Sequence, residues 1–266
     1  MAKISVIMGV FNGEKHVSKA IDSILNQTYS DFELIICDDA STDNSLNIIK
    51  NYISKYDRII LVENDVNLGL AATLNRCLEV AKGEYIARMD DDDVSLPHRF
   101  EKQIEYLEAN PNCTILGGAA RLYDGEGDYG KISHKRNPNK IDIFKSPKFI
   151  HPTVIMRSEA LKKVSGYTVA DYTKRTEDYD LWCKLYANGY KGSNLQEVIL
   201  NYYEGRDSYK KKKFKHRIDS IKLRKIWRKK LKIPFNIYFV TIFKIIIGGL
   251  LPNKFMMKYH RVKFKE

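Results

Sequence analysis

Four consecutive aspartates, Asp90 to Asp93, follow the short run Glu84-Tyr85-Ile86-Ala87-Arg88-Met89. Adjacent carboxylates repel one another, so placing them at the end of a buried strand calls for a compensating charge. A divalent cation is the simplest candidate. In an extended segment residues i and i+2 face the same way, which lets Asp90 and Asp92 address one ion together. Hard oxygen ligands suit Mg²⁺ or Mn²⁺, ions that commonly hold a substrate diphosphate as well. A solvated acidic loop is the competing reading, and the strand-end position weighs against it.

The elements that would position these residues are legible from periodicity. Strands are expected at Ile4–Val10, Phe32–Cys37, Ile59–Glu63 and Tyr85–Met89. Between them, Val17, Ala20, Ile21, Ile24 and Leu25 recur at helical spacing, as do Ile48, Ile49, Tyr52 and Ile53, then Leu70, Leu74, Cys77, Leu78 and Ala81. Asp43 is placed as a helix cap and Pro97 as a first-turn residue. Alternating strands and helices imply a mainly parallel α/β sheet with helices on both faces. Ligands then bind beyond the carboxyl ends of the strands, where both Asp38-Asp39 and Asp90–Asp93 fall. Residues 111–205 are less regular, with strands expected around Ile115–Leu122 and Thr153–Arg157.

The four cysteines lack CxxC spacing and read as buried side chains in a reducing compartment. Met1-Ala2-Lys3 runs directly into a strand-like segment too short for a secretory signal, so the expected location is the cytoplasm. The single G-x-G-x-x-G string, Gly125–Gly130, falls in a turn-rich stretch and not between the first strand and a helix, and G-x-x-x-x-G-K-[ST] does not occur, which removes the usual cradles for dinucleotides and for P-loop nucleotides.

Five motifs stand in order along the chain: Ser5-Val6-Ile7-Met8-Gly9-Val10-Phe11-Asn12-Gly13-Glu14, Glu33-Leu34-Ile35-Ile36-Cys37-Asp38-Asp39-Ala40-Ser41, Asn67-Leu68-Gly69, the aspartate run, and Thr176-Glu177-Asp178-Tyr179-Asp180-Leu181-Trp182. With them the sequence resembles the family 2 glycosyltransferases over residues 3–205. That resemblance implies the GT-A fold, a Rossmann-like mixed sheet flanked by helices, and inverting sugar transfer from a nucleoside-diphosphate donor, with a UDP-sugar favoured. It implies that Val10, Phe11, Asp39, Asn67, Asp90, Asp91 and Arg206 bind the nucleotide sugar. Asp92 and Asp90 would hold Mn²⁺ or Mg²⁺, and Asp178 would be the general base, with Glu177 as the alternative and Asp180 structural. His151, near the expected acceptor site, is read either as functional or as a structural histidine. The implied acceptor is a glycan or lipid-linked glycan of bacterial surface polysaccharide. Each role has a chemical basis: an aromatic can stack on a base, a carboxylate accepts base N–H donors, and a carboxylate beside a hydroxyl removes its proton.

Charge divides the chain. Residues 206–266 hold 20 Lys/Arg against 3 Asp/Glu, a net +17, whereas residues 1–205 hold 25 against 30, a net −5. Domain 1–205 is therefore read as the catalytic unit and 206–266 as a basic and apolar helical tail. The stretch Phe235–Leu251 has 17 residues and contains Lys244, short of the roughly 20 apolar residues of a membrane span. A basic segment beside an apolar one suits peripheral attachment to an anionic membrane, here its inner face; packing on the domain is the other reading. Two different activities compete. A nucleotidyltransferase would need a basic glycine-rich loop after the first strand, where Gly9–Glu14 has an acid and no Lys or Arg. A nucleic-acid binder fits the charge but not the Ile/Phe-rich tail, so no nucleic-acid partner is expected.

Overall fold

All seven residues of β1 (Ile4–Val10) are buried, as befits a strand covered by helices on both faces. The structure is a computed structural model describing residues 2–205 and 214–250. Next come α1 (Val17–Leu25), β2 (Phe32–Asp38), α2 (Ser45–Ile53), β3 (Ile59–Glu63), α3 (Leu70–Val80) and β4 (Tyr85–Met89). These match the elements expected from periodicity. They pair in parallel in the order β3-β2-β1-β4, which lines up their carboxyl ends along one edge.

The second half supplies β5 (Val94–Ser95), α4 (Arg99–Ala109), β6 (Ile115–Tyr123), β7 (Asp128–Ile132), α5 (Lys140–Lys145), β8 (Ile155–Arg157), α6 (Ser158–Lys163), α7 (Glu177–Ala187) and β9 (Gly192–Tyr203). β8 runs antiparallel to β4 and continues the sheet through β6, β9 and β5, with β7 paired on β6. The fold is thus the expected GT-A type of mixed α/β sheet flanked by helices.

Three local expectations shift. His151–Thr153 form a 3-10 turn, and the strand expected from Thr153 starts at Ile155. Pro152 has no N–H to give a ladder, so the chain turns there first. Pro97 precedes α4 instead of lying in its first turn, and its carbonyl accepts the Thr28 N–H at 2.9 Å. Asp43 caps α2 from one position further out. Its Oδ1 accepts the Ser45 N–H and its Oδ2 the Glu14 N–H, both at 3.0 Å, so it also ties down the loop after β1.

The core has two sides. Val6, Met8, Leu34, Ile36, Ala87 and Met89 pack toward α1, α2 and α4. Ile7, Ile35, Ile86 and Met156 pack toward α3, α6 and α7. Strand alternation puts Arg88 on the Ile86 side, fully buried. The four cysteines are buried and unpaired.

The basic segment forms α8 (Phe214–Lys230) and α9 (Phe235–Leu250). α8 joins the second side of the core: Leu223 and Trp227, then Leu231 and Ile233 just beyond it, are buried. The Trp227 Nε1–H donates to Asp180 Oδ1 at 2.8 Å, and the Arg224 guanidinium lies 4.5 Å over the Tyr179 ring. Asp180 is thus structural, and of the two readings for the tail, packing on the domain describes α8. No described helix is long and apolar enough to cross a membrane. Truncating a buried aromatic costs about 3–5 kcal/mol, so Trp227→Ala should lose stability on that scale in denaturant unfolding. A loss below about 0.5 kcal/mol, typical of a surface change, would show that α8 does not dock on α7.

Candidate active site

At the carboxyl ends of β1, β2 and β3 the connecting loops are stitched to one another. The buried Val10 accepts the Asp39 N–H at 2.8 Å through its carbonyl. Phe11 follows, 49% exposed, with its ring available at the rim. Asn12 takes a left-handed φ of 55° and accepts the Thr42 N–H at 2.8 Å. Asp39 is nearly enclosed. Its Oδ1 accepts from Asn64 Nδ2 and from the Leu68 N–H, both at 2.8 Å, and its Oδ2 accepts the Gly69 N–H at 2.9 Å. Of about four acceptor positions on a carboxylate, two serve the Asn67-Leu68-Gly69 turn and one the Asn64 side chain. Gly69 has φ 84°, a conformation cheap only for glycine, and lies directly before α3. Asn67 itself is exposed, its Nδ2 reaching the Asp39 carbonyl at 3.4 Å.

The aspartate run leaves β4 beside these loops. One oxygen from each of Asp90, Asp92 and Asp93 lies within 4.8 Å of the others. The structure thus brings together the two metal ligands expected from sequence and adds Asp93. Asp93 is buried; its Oδ1 accepts the Tyr203 N–H at 2.8 Å, while its Oδ2 has no hydrogen-bond partner among the described residues. An orphaned carboxylate oxygen in a group of hard donors fits a divalent cation. The Tyr123 hydroxyl donates to the Asp92 carbonyl at 3.0 Å and so holds the bend in the run. Asp91 lies outside the cluster, over Gly13, where any side chain would collide with its Oδ2. Burial, then the charges of Asp92 and Asp90, pushes Asp91 up to about 7. Burial and the same two kinds of neighbour, Asp90 and Asp92, raise Asp93 well above the usual carboxylate range.

Sequence reasoning assigned the compensating charge to a metal alone, but the chain supplies part of it. Arg88 pairs through Nη1 with Asp90 Oδ1, and its Nε and Nη2 have no hydrogen-bond partner among the described residues. Burial is the largest influence and opposes this charge, but Asp90, Tyr167 and Asp93 together outweigh it and hold the guanidinium protonated. Arg99, also fully buried, donates from Nη2 to the Arg88 carbonyl at 2.8 Å and fixes the strand end from the other side. Strand alternation from Asp90 back to Arg88 was the signal that could have found the pair.

Glu177 and Asp178 open α7, where two carboxylates are favoured by the helix dipole. Burial and the adjacent Glu177 charge push Asp178 up to about 7, although its Oδ1 accepts the Tyr179 N–H at 2.6 Å and Arg88 acts in the opposite direction. Glu177 is raised too, chiefly by burial. His151 pairs through Nε2 with the Tyr167 hydroxyl at 2.9 Å and lies edge-on to Trp182. Burial, then Arg88, lowers it well below its ordinary value, so it is neutral at pH 7. Arg88 therefore lies within electrostatic reach of both the acid cluster and the start of α7. Arg206 lies outside the described residues. A cavity of about 750 Å³ between Tyr106, Asn137, Tyr186 and Lys191 includes none of these residues.

The family model described as Glycosyl transferase family 2 matches residues 5–165. The chain is 40% identical over 260 residues to the putative glycosyltransferase EpsE of Bacillus subtilis, covering 97% of this chain and 93% of the relative. The chain belongs to glycosyl transferase family 2. It is an inverting glycosyltransferase. It is also 29% identical over 261 residues to the Escherichia coli UDP-Gal:alpha-D-GlcNAc-diphosphoundecaprenol beta-1,3-galactosyltransferase, covering 95% of this chain and 93% of that one. The crystal structure of S. aureus TarS 1-349 in complex with UDP shares its fold at a TM-score of 0.70 and 19% identity, covering 92% of this chain and 70% of that one.

The acid cluster ties this glycosyltransferase's stability to pH. In the metal-free fold Asp91 and Asp93 hold protons more tightly than in the unfolded chain, where aspartates titrate near 3.9. The stability they contribute is therefore full at low pH and is lost as pH rises, through about 7 for Asp91. A cation at Asp90, Asp92 and Asp93 competes with the proton on Asp93 and, by its charge, disfavours the one on neighbouring Asp91. Mn²⁺ should raise Tm more above about pH 7 than below about pH 6 in thermal melts. A gain independent of pH would show that the cation binds elsewhere.

Proposed function

We propose that this glycosyltransferase moves a sugar from a UDP-sugar to a lipid-linked glycan acceptor in surface-polysaccharide synthesis, with a divalent cation at Asp90, Asp92 and Asp93. The observation that carries the reading is the meeting of those three carboxylates with the Asp178 end of α7, both within reach of Arg88. The donor reading is supported by the UDP in the TarS complex and by the UDP-Gal in the relative's name, and the acceptor reading by its diphosphoundecaprenol-linked GlcNAc.

In this reading Phe11 stacks on the base, and the remaining acceptor position of Asp39 takes a base N–H. Val10 and Asn67 bound the nucleotide, Asp90 and Asp91 face the ribose and diphosphate, and Arg206 neutralises phosphate. Mn²⁺ or Mg²⁺ would supply charge stabilisation on the departing nucleoside diphosphate. Asp178 takes the acceptor hydroxyl's proton while that oxygen attacks the anomeric carbon opposite the diphosphate, so one displacement inverts the configuration. A base poised near 7 suits this work, because it is ionised at neutral pH and still basic enough to accept a proton. The net charge of +17 over residues 206–266 draws the enzyme to the anionic inner face of the plasma membrane, where such acceptors lie.

Donor hydrolysis screened across UDP-, GDP- and dTDP-sugars should show Mn²⁺- or Mg²⁺-dependent turnover that EDTA abolishes, with Asp92→Ala folded but inactive. Asp178→Asn should keep donor binding yet lose transfer by about 10²–10⁴-fold. In the wild type, kcat/KM should fall as pH drops below about 7, where the base gains a proton. NMR of the product should show inverted configuration; a retained anomer, or full Asp92→Ala activity in chelator, would overturn the mechanism.

A further inference from the structure

α9 is apolar on two opposite faces, and only one of them is covered. On its inner face Ile237 and Tyr238 pack against the second side of the core, and Thr241 is buried with its hydroxyl donating to the Ile237 carbonyl at 2.7 Å. On its outer face Phe235, Phe239, Val240, Phe243, Ile246 and Ile247 are 43–62% exposed. Their spacing of three and four residues makes one continuous stripe. Apolar side chains gathered in this way mark a surface that meets something other than water.

The charge around the stripe says what that is. Lys222, Lys225, Lys229, Lys230, Lys232 and Lys244 are exposed on α8, the turn after it and α9, while the single acid of these helices, Asp219, is buried and paired with Lys222. Exposed lysines around an apolar stripe complement anionic headgroups above acyl chains, whereas a second copy of the same basic surface would be repelled. The attachment to the fold is also firm. Arg228 lies 5.0 Å over the Phe235 ring and 5.6 Å over Tyr238, and Arg217 Nη1 donates to the Ile245 carbonyl at 3.5 Å. α8 in turn holds α7 through Trp227 and Asp180.

We propose that the outer face of α9 is a docking surface for an anionic lipid bilayer, and that α9 stays packed on the fold while docked. The membrane then meets a rigid body instead of a tether. Asp178, two residues before the Asp180 that receives Trp227, is thereby held at a fixed attitude to the bilayer from which a lipid-linked acceptor would rise. This deepens the membrane part of the proposed function and rests on it for the acceptor alone.

The test uses the full chain carrying one added tryptophan, with vesicles of phosphatidylcholine with and without phosphatidylglycerol, and brominated lipid as quencher. Trp182 and Trp227 are buried, and the wild type gives their background. Phe243→Trp, on the outer face, should be quenched several-fold more than Ile237→Trp, on the inner face, and only with phosphatidylglycerol present. Phe239→Glu combined with Phe243→Glu should abolish sedimentation with these vesicles while leaving metal-dependent donor hydrolysis unchanged. Equal quenching at both positions would show that α9 peels away, and no quenching would show that no bilayer docks; either overturns the proposal. Light scattering that shows a dimer lost in the double variant would overturn it in favour of a second copy. Donor hydrolysis in the absence of vesicles is the separate readout for the transfer reading, so the two can fail independently.

Discussion

The Arg88 guanidinium is out of water, and a buried cation is tolerated only where anions surround it. Asp90 pairs with it directly, and Asp93, Glu177 and Asp178 lie within its field. The converse also holds: without that cation, the carboxylates of β4 and α7 would raise one another's proton affinity still further. A single residue inside the sheet thus links the end of β4 to the start of α7. Arg88 does not balance the group completely, because Asp91, Asp93 and Asp178 remain raised. That residual imbalance favours a bound cation.

The fold delivers the rest of the site to this pair. Parallel pairing of β1 with β2 and β4 brings three loops to one edge, and backbone donors then fix their relative positions. Asp39 illustrates the division of labour. It accepts two hydrogen bonds from the Asn67-Leu68-Gly69 turn and one from Asn64, so its first task is to shape the loops at this edge of the sheet. Gly13 gives room to Asp91, and Gly69 allows the turn to enter α3.

Much of this was legible in the sequence. Periodicity located every strand and helix up to Met89, and strand-end logic marked both Asp39 and the aspartate run. What stayed hidden depends on tertiary contact. Arg88 sits in an apolar run where sequence cannot distinguish a buried arginine from one that snorkels to water. Asp93 looks like the outermost member of an acidic loop until β9 brings the Tyr203 N–H to it. In α8 eleven of the 17 residues are polar or charged, counted in FKHRIDSIKLRKIWRKK as Lys, Arg, His, Asp and Ser, and only docking reveals Leu223 and Trp227 as core. Pro152 was the missed local signal, since a proline immediately before an expected strand argues for a turn there.

The central claim is that Asp90, Asp92 and Asp93 together form the seat of one cation beside Arg88. Anomalous diffraction from crystals grown with Mn²⁺ and UDP tests it most directly. The account predicts a single anomalous peak within coordination distance of carboxylate oxygens from this group, with the Arg88–Asp90 pair intact. A peak remote from all three aspartates, or an ion that displaces Arg88 from Asp90, would contradict it.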